Sequence, residues 1–313
     1  MNILENNILD IAKNNYKFLT NMQNVIGVGL GYKNINDFNT LEPCLHVLVE
    51  NKINSNFLSK NNIVPKSYMG IKTDVIQVGK LDLLKGEAIT FKLRPLEGGG
   101  GISVADHKSA GTIGYFVTKG MLFSKKYYIL SNNHVLAGLN SIPIGTPIIQ
   151  PIDVFGGKIE NDMVALLKDF VPVKFINGSN EPENYVDCAI AQVTSKSIIC
   201  NRILGDCIVK GINKPKLGEN VRKTGFVTGT TKGSIITTGV TKYVTVSPTK
   251  KVLFKNQILA KLKSNGGDSG SAIVNENNEI VGLVMSGNLD NVTTTFNDIN
   301  MVLDSLNAKI YLD

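Results

Sequence analysis

Beyond Gly111 the sequence is composed of short apolar runs, broken by Gly, Asn, Pro or Ser about every eight to twelve residues. The runs fall at residues 114–117, 127–130, 163–166, 187–193, 233–238, 240–246, 258–262, 271–274 and 280–285. Segments this short and this regularly punctuated predict strands, and so many strands with almost no helix between them restrict the fold to an all-β sandwich or a pair of barrels. The exception lies near the end. Phe296, Ile299, Val302, Leu303 and Leu306 recur at three and four residues, which predicts a terminal helix capped by Asn297 and lying on the β body.

The amino-terminal third reads differently. Ile3, Leu4, Ile8, Ile11, Ala12 and Leu19 share one helical face, predicting an amphipathic helix to about Thr20. Extended segments follow at 25–32, 43–50 and 73–78, so residues 1–95 are expected to form a small α/β unit. Gly27, Gly29 and Gly31 do not make a dinucleotide fingerprint, because Tyr32 stands where a third glycine should open a helix. Pro95 and the run Gly98 to Gly101 mark the boundary, which leaves 96–313 as the second domain.

Composition narrows the class further. With 313 residues and 42% apolar side chains the chain can bury proper cores. No run approaches the ~18 apolar residues of a membrane span. The first ten residues carry two acids and three Asn in place of a basic start, so a cytoplasmic protein made without a signal peptide, and without a membrane partner, is expected. Cys44, Cys188, Cys200 and Cys207 include no C-x-x-C pair, so zinc-ribbon and thioredoxin readings lack their spacing, and reduced thiols are expected. The net charge of +7 is spread along the chain and includes only three Arg, which argues against nucleic acid as a partner.

The strongest chemical signal is Asn265-Gly266-Gly267-Asp268-Ser269-Gly270-Ser271, directly before an apolar strand. A glycine-flanked turn there can aim the Gly267 and Ser269 N–H groups at one point beside the Ser269 hydroxyl, stabilising an oxyanion. Taken alone, the same residues also suit a polar hairpin turn. A serine nucleophile needs a base, and the chain offers His46, His107 and His134. His134 ends a buried strand in Ser131-Asn132-Asn133-His134-Val135, whereas His46 lies mid-strand in the first unit and His107 in a polar loop. Asp187 is the one acid inside the apolar run Tyr185-Val186-Asp187-Cys188-Ala189-Ile190-Ala191, where an unpaired charge would be costly. Asp153, Asp162 and Asp169 compete from polar or loop-like contexts.

The order His134, Asp187, Ser269, with the wording around each, resembles the trypsin-like serine peptidases of chymotrypsin fold over about residues 105 to 305. Val25-Ile26-Gly27-Val28-Gly29, Thr73-Asp74-Val75-Ile76, Gly111-Thr112-Ile113-Gly114, Gln150-Pro151 and Thr228-Gly229-Thr230-Thr231 further resemble an intracellular bacterial branch related to the plant NARROW LEAF proteins. The resemblance implies a mainly β fold: a double six-stranded β-barrel with the site in the cleft, beside the small amino-terminal α/β domain and the carboxy-terminal helix. It also implies a serine endopeptidase acting on proteins or peptides through an acyl-enzyme, with Ser269 as nucleophile, His134 as base, Asp187 orienting it, and the Gly267 and Ser269 amides as oxyanion hole. No metal and no other cofactor enter that chemistry. The other readings of the same residues are a catalytically silent peptide-binding or scaffolding protein and a hydrolase of small esters.

The family's geometry puts Lys263, six residues before the serine, at the base of a specificity pocket, unless it points to solvent. Ser286 and Gly287 are expected on the pocket wall and on the strand that pairs with substrate. Secreted members pair the acid before the serine with a new amino terminus; no activation site is evident here, so Asp268 needs another partner. Residues 1–95 are the candidate for a regulatory contact or a homo-oligomer surface, or serve only as packing.

Overall fold

The computed structural model describes residues 2–35, 38–79, 90–107, 109–121, 124–288 and 293–312. Two barrel-like sheets dominate it. The first runs in the spatial order Lys309–Ile310, Tyr115–Lys119, Lys126–Ser131, Ala189–Val193, Met163–Phe170, Pro147–Ile149, Gly101–Val104 and Ala110–Thr112. Gly99 N–H donating to the Ile113 carbonyl at 2.7 Å and Ile113 N–H to Gly100 at 2.8 Å extend its last ladder, and Gly114 N–H then reaches the Leu130 carbonyl across the gap at 2.9 Å. The second sheet closes on itself. Asn220–Gly225, Gly229–Ser247, Lys250–Lys261, Thr293–Asp298, Glu279–Asn288 and Ala272–Asn275 form a ring because the long strand Gly229–Ser247 pairs on both sides.

The strands of the first barrel read as unbroken apolar runs because both of their faces are buried. In Tyr115-Phe116-Val117, Phe116 points into the barrel with Ile129, Ile102 and Leu167, while Tyr115 and Val117 face a second core between the barrels. Ala272, Leu283 and the terminal helix Ile299–Leu306 complete that second core through Ile299, Val302, Leu303 and Leu306. A buried side chain of this size contributes about 1.5–3 kcal/mol, so the inter-barrel layer is a main fastening of the cleft. The helix cap differs from expectation: Asp298, not Asn297, accepts from Asn300 N–H, because the Asn297 amide is held inside the molecule.

The amino-terminal unit contains the helices Ile3–Asn14 and Lys17–Thr20 and the strands Val25–Ile35, Phe38–Val49 and Ile71–Gln77. A capping box starts the first helix, with Asn2 and Glu5 exchanging bonds of 2.8 and 2.9 Å. The one helix expected to Thr20 is split in two. Lys255 Nζ takes the Lys13 carbonyl at 2.8 Å and lies 5.0 Å from the centre of the Tyr16 ring, closing the first helix at that point. Ile8, Ile11, Ala12 and Leu19 pack on Val28, Leu30, Leu45 and Val47. Strand Val25–Ile35 then pairs directly with Gly229–Ser247, matching Gly27 to Lys242 and Gly31 to Thr237. The unit expected over 1–95 therefore shares its sheet with the second barrel. The alternating glycines lie in the middle of this strand. Among the described residues no helix is long and apolar enough to cross a membrane.

Candidate active site

His134, expected at the end of a buried strand, leaves the strand Lys126–Ser131 on a single helical turn, Asn133–Leu136. The three residues before it each anchor the turn. Ser131 Oγ donates to the Thr112 carbonyl at 2.8 Å, Asn132 Nδ2 to the Asp187 carbonyl at 2.7 Å, and Asn133 Nδ2 to the Val171 carbonyl at 2.8 Å. Asp187 answers from the other side: its Oδ2 lies 2.5 Å from His134 Nδ1 and its Oδ1 accepts from His134 N–H at 3.1 Å. Both side chains are largely buried, at 16% and 5% exposed, so the contact is shielded from water. His134 Nε2 is buried and has no hydrogen-bond partner among the described residues.

Asp187 stands just before its predicted strand, which begins at Ala189. Its N–H goes to Asn297 Oδ1 at 3.0 Å, out of the ladder. Asn297 Nδ2 donates to Gln257 Oε1 at 2.5 Å, and Gln257 Nε2 to the Tyr185 carbonyl at 2.8 Å. The arm before Asp187 is in turn tied to the second barrel and to the amino-terminal unit. Lys255 Nζ meets Glu183 at 2.6 Å, and Lys17 Nζ meets Glu181 at 2.8 Å. The Lys17 ammonium draws the Glu181 carboxyl below its ordinary range.

Ser269 comes from the second barrel, in a turn pressed against the first. Thr112 N–H donates to the Ser269 carbonyl at 2.9 Å, and Thr112 Oγ1 to the Gly267 carbonyl at 2.8 Å. A Cβ on Gly270 would lie 2.1 Å from Ser131 Oγ and 2.5 Å from the Thr112 carbonyl, so only glycine permits this approach, and its φ of 91° suits glycine as well. Gly267, at φ 101°, meets the Phe226 ring and Val227 in the same way. Neither Gly267 N–H nor Ser269 N–H donates a hydrogen bond among the described residues. Ser269 Oγ donates to the Met285 carbonyl at 3.3 Å.

The acid before the serine has an internal partner. Asp268 and Lys223 are both fully buried, with Lys223 Nζ 3.2 Å from Asp268 Oδ2. Asp268 also accepts from Val227 and Thr228 N–H at 3.1 Å, from Thr228 Oγ1 at 2.6 Å and from Asn265 N–H at 2.9 Å. Burial pulls the Lys223 amine below its ordinary value, and the neighbouring Asp268 opposes that pull. With so many donors converging, the carboxylate fixes the turn that carries Ser269. Lys223, Thr112 and Thr228 were not singled out from the sequence, and Asn297 was read only as a helix cap. The signal for Lys223 is its place between Val221 and Gly225 on the inward face of a strand; Thr112 and Thr228 lie inside stretches quoted only for their resemblance.

His134 and Asp187 line a cavity of about 450 Å³ with Leu139, Val173, Met285 and Ser286. Beside it, backbone pairing of Glu279–Asn288 towards the Ser269 turn stops at Val284, so among the described residues that side of Ser286 and Gly287 is an open edge. Lys263 is exposed and does not line this cavity; its carbonyl accepts from Thr231 Oγ1 at 2.8 Å. His107 is exposed in a turn. Asp162 pairs with Lys92 and Asp169 with Lys119, while Asp153 accepts from Val154 N–H. Cys44, His46 and Asp74 place ligand-type atoms within 4.8 Å of one another. Both His46 nitrogens are already bonded, Nδ1 with Thr237 Oγ1 at 2.8 Å and Nε2 with the Tyr32 carbonyl at 2.9 Å, which leaves no ring lone pair free for a metal.

Comparison with known proteins agrees with this architecture. Residues 4–78 match the NARROW LEAF 1 N-terminal domain. No curated protein matches the chain. Among solved structures, Thermobifida fusca protease A aligns over 69% of this chain and 98% of its own, with a TM-score of 0.50 at 17% identity. A Nocardiopsis protease gives 0.49 at 16%, and Cellulomonas bogoriensis chymotrypsin 0.48 at 19%, each over 69% of this chain and 98% of its own. The first of these identifies the two-barrel fold as that of the chymotrypsin-like proteases. Residues 118–283, more than half of the chain, match the trypsin-like peptidase domain, and the chain belongs to that family.

Proposed function

We propose that the protein is a serine endopeptidase in which Ser269 is the nucleophile, His134 the base and Asp187 the residue that orients it. The observation that carries this reading is the tight His134–Asp187 pair whose outward Nε2 is left without a partner, in a cavity bounded by Met285, on whose carbonyl the Ser269 hydroxyl rests. On this reading the Ser269 side chain rotates off that carbonyl and Oγ donates to His134 Nε2 when substrate binds. Catalytic hydrogen bonds of this kind commonly tighten only with substrate bound.

The chemistry then runs in two halves. As Ser269 Oγ bonds to the scissile carbonyl carbon, its proton passes to His134 Nε2, and the carbonyl π electrons move to oxygen. The Gly267 and Ser269 N–H groups hold the oxyanion. Its collapse breaks the C–N bond, and the leaving amine takes the proton from Nε2. Water repeats the sequence on the acyl-enzyme and frees Ser269. Asp187 keeps the Nδ1–H tautomer and stabilises the imidazolium. Extended substrate adds to the open edge at Ser286 and Gly287. Residues 1–95 brace the arm that carries Asp187, and the four free thiols, three of them buried, support a reducing, cytoplasmic setting.

The test is digestion of a denatured, carboxymethylated protein followed by mass spectrometry of the fragments. Wild-type protein is expected to cut at internal peptide bonds and Ser269→Ala to leave the substrate whole. Equal fragmentation by both, or none by the wild type, would overturn the reading.

A further inference from the structure

Lys242 is out of character with the rest of the second barrel. It lies on Gly229–Ser247, is 1% exposed, and has no carboxylate partner among the described residues. Its Nζ donates only to Ser286 Oγ at 3.1 Å and Thr295 Oγ1 at 3.0 Å, and burial pulls its pKa down to about 7. The other buried lysines here are paired, Lys223 with Asp268 and Lys255 with Glu183. A buried ammonium without a counter-ion is strongly unfavourable, and packing alone would be better served by Met or Leu.

The position of Lys242 suggests where the counter-ion comes from. Residues 242, 244 and 246 share one face of the strand, and Val244 and Val246 line the cavity that holds His134, Asp187 and Ser286. Ser286 is the common wall. Its Oγ accepts from Lys242 behind it, and its own O–H donates to nothing among the described residues, so it is free to donate into the cavity. The remaining lining is Leu139, Val173, Val252, Phe254 and Met285, all apolar, and the polar Thr245.

Resting on the endopeptidase reading, we infer that the Ser286–Lys242 pair recognises a carboxylate side chain of the substrate, on the acyl side of the scissile bond. The substrate class is then acidic: peptides with Glu or Asp at that position. A carboxylate accepts from Ser286 and supplies the charge that Lys242 lacks; a carboxamide of the same shape supplies only the acceptor. Charge-assisted bonds are roughly twice as strong as neutral ones, and apolar walls screen the ammonium poorly. The net charge of +7 favours encounter with the same substrates. Lys263, which family geometry puts at the base of the specificity pocket, is exposed and does not line this cavity.

The test uses full-length Ser269→Ala protein, which binds without turnover, and synthetic decapeptide libraries fixed as Glu or Gln at one position and randomised elsewhere. At one position the Glu library is expected to bind at least ~10-fold more tightly than the Gln library, a difference of about 1.4 kcal/mol. Adding Lys242→Met is expected to bring the ratio to within about twofold of unity, without lowering the melting temperature, since a buried unpaired amine is removed. Ser286→Ala provides a second variant that leaves Lys242 in place, and it is expected to reduce the ratio as well. A ratio near one in the parent, no binding of the Glu library, or a preference that survives both substitutions would overturn the assignment. Fluorophosphonate labelling of the wild type reports on the endopeptidase reading separately.

Discussion

The two halves of the site are prepared to different degrees. On the first barrel, His134 and Asp187 are locked together, with both carboxylate oxygens committed to the histidine and the flanking Ser131, Asn132 and Asn133 each bonded to backbone. On the second, the turn is held through Lys223 and Asp268, while the Ser269 hydroxyl, the proposed nucleophile, donates to the Met285 carbonyl. On the proposed reading, the base is set before substrate arrives, and the nucleophile is set by it. The second barrel also carries the buried lysines Lys223, Lys242 and Lys255 and the pairing with the amino-terminal unit, so the support and, on the inference above, the selectivity lie on that side.

Substitutions separate the two halves. Ser269→Ala is expected to lower kcat by about 10⁶ while the melting temperature stays close to that of the wild type, since one hydroxyl bond at 3.3 Å is lost; peptide turnover and thermal melting check this. Asp187→Asn, which keeps the shape but favours the wrong tautomer, is expected to cost about 10⁴ in kcat. The smaller loss would mark Asp187 as an orienting group and Ser269 as the reacting one. Lys223→Met leaves Asp268 buried without its cation, and denaturant unfolding is expected to show a loss of about 3–5 kcal/mol. Pairing it with Asp268→Asn should recover much of that stability and still leave labelling of Ser269 slow, because the turn has lost its anchor.

The support behind Asp187 gives smaller effects. Asn297→Ala strands the buried Asp187 N–H, with an expected cost of about 1–3 kcal/mol and a lower labelling rate at Ser269. Lys17→Ala removes an exposed contact to Glu181 and is expected to leave both melting and labelling unchanged. If Lys17→Ala slowed labelling as much as Asn297→Ala, the amino-terminal unit would control the base directly, and the contrast between the two halves would have to be redrawn.

Much of this was legible in the sequence, because short apolar runs with turn residues between them specify strands wherever both faces are buried, as at Tyr115-Phe116-Val117. His134 and Asp187 stood out for the same reason, each being polar at the end of, or inside, an apolar run, and Ser269 stood out by its glycine-flanked turn before one. What stayed hidden depends on distant contacts. Asn297 looks like a helix cap by local pattern, and only the fold brings it to Asp187, 110 residues away. Lys242 and Lys223 read as solvated lysines in a chain rich in lysine, and nothing local says that a barrel encloses them. The sharing of one sheet by residues 25–35 and the second barrel is likewise a long-range pairing, which periodicity alone does not specify.

The most direct test of the central claim is intact-mass analysis of the native protein, Ser269→Ala and His134→Ala after exposure to a fluorophosphonate. A single adduct is expected on the native protein, none on Ser269→Ala, and strongly slowed labelling of His134→Ala. An adduct that persists on Ser269→Ala, or a native protein that takes none, would contradict the claim.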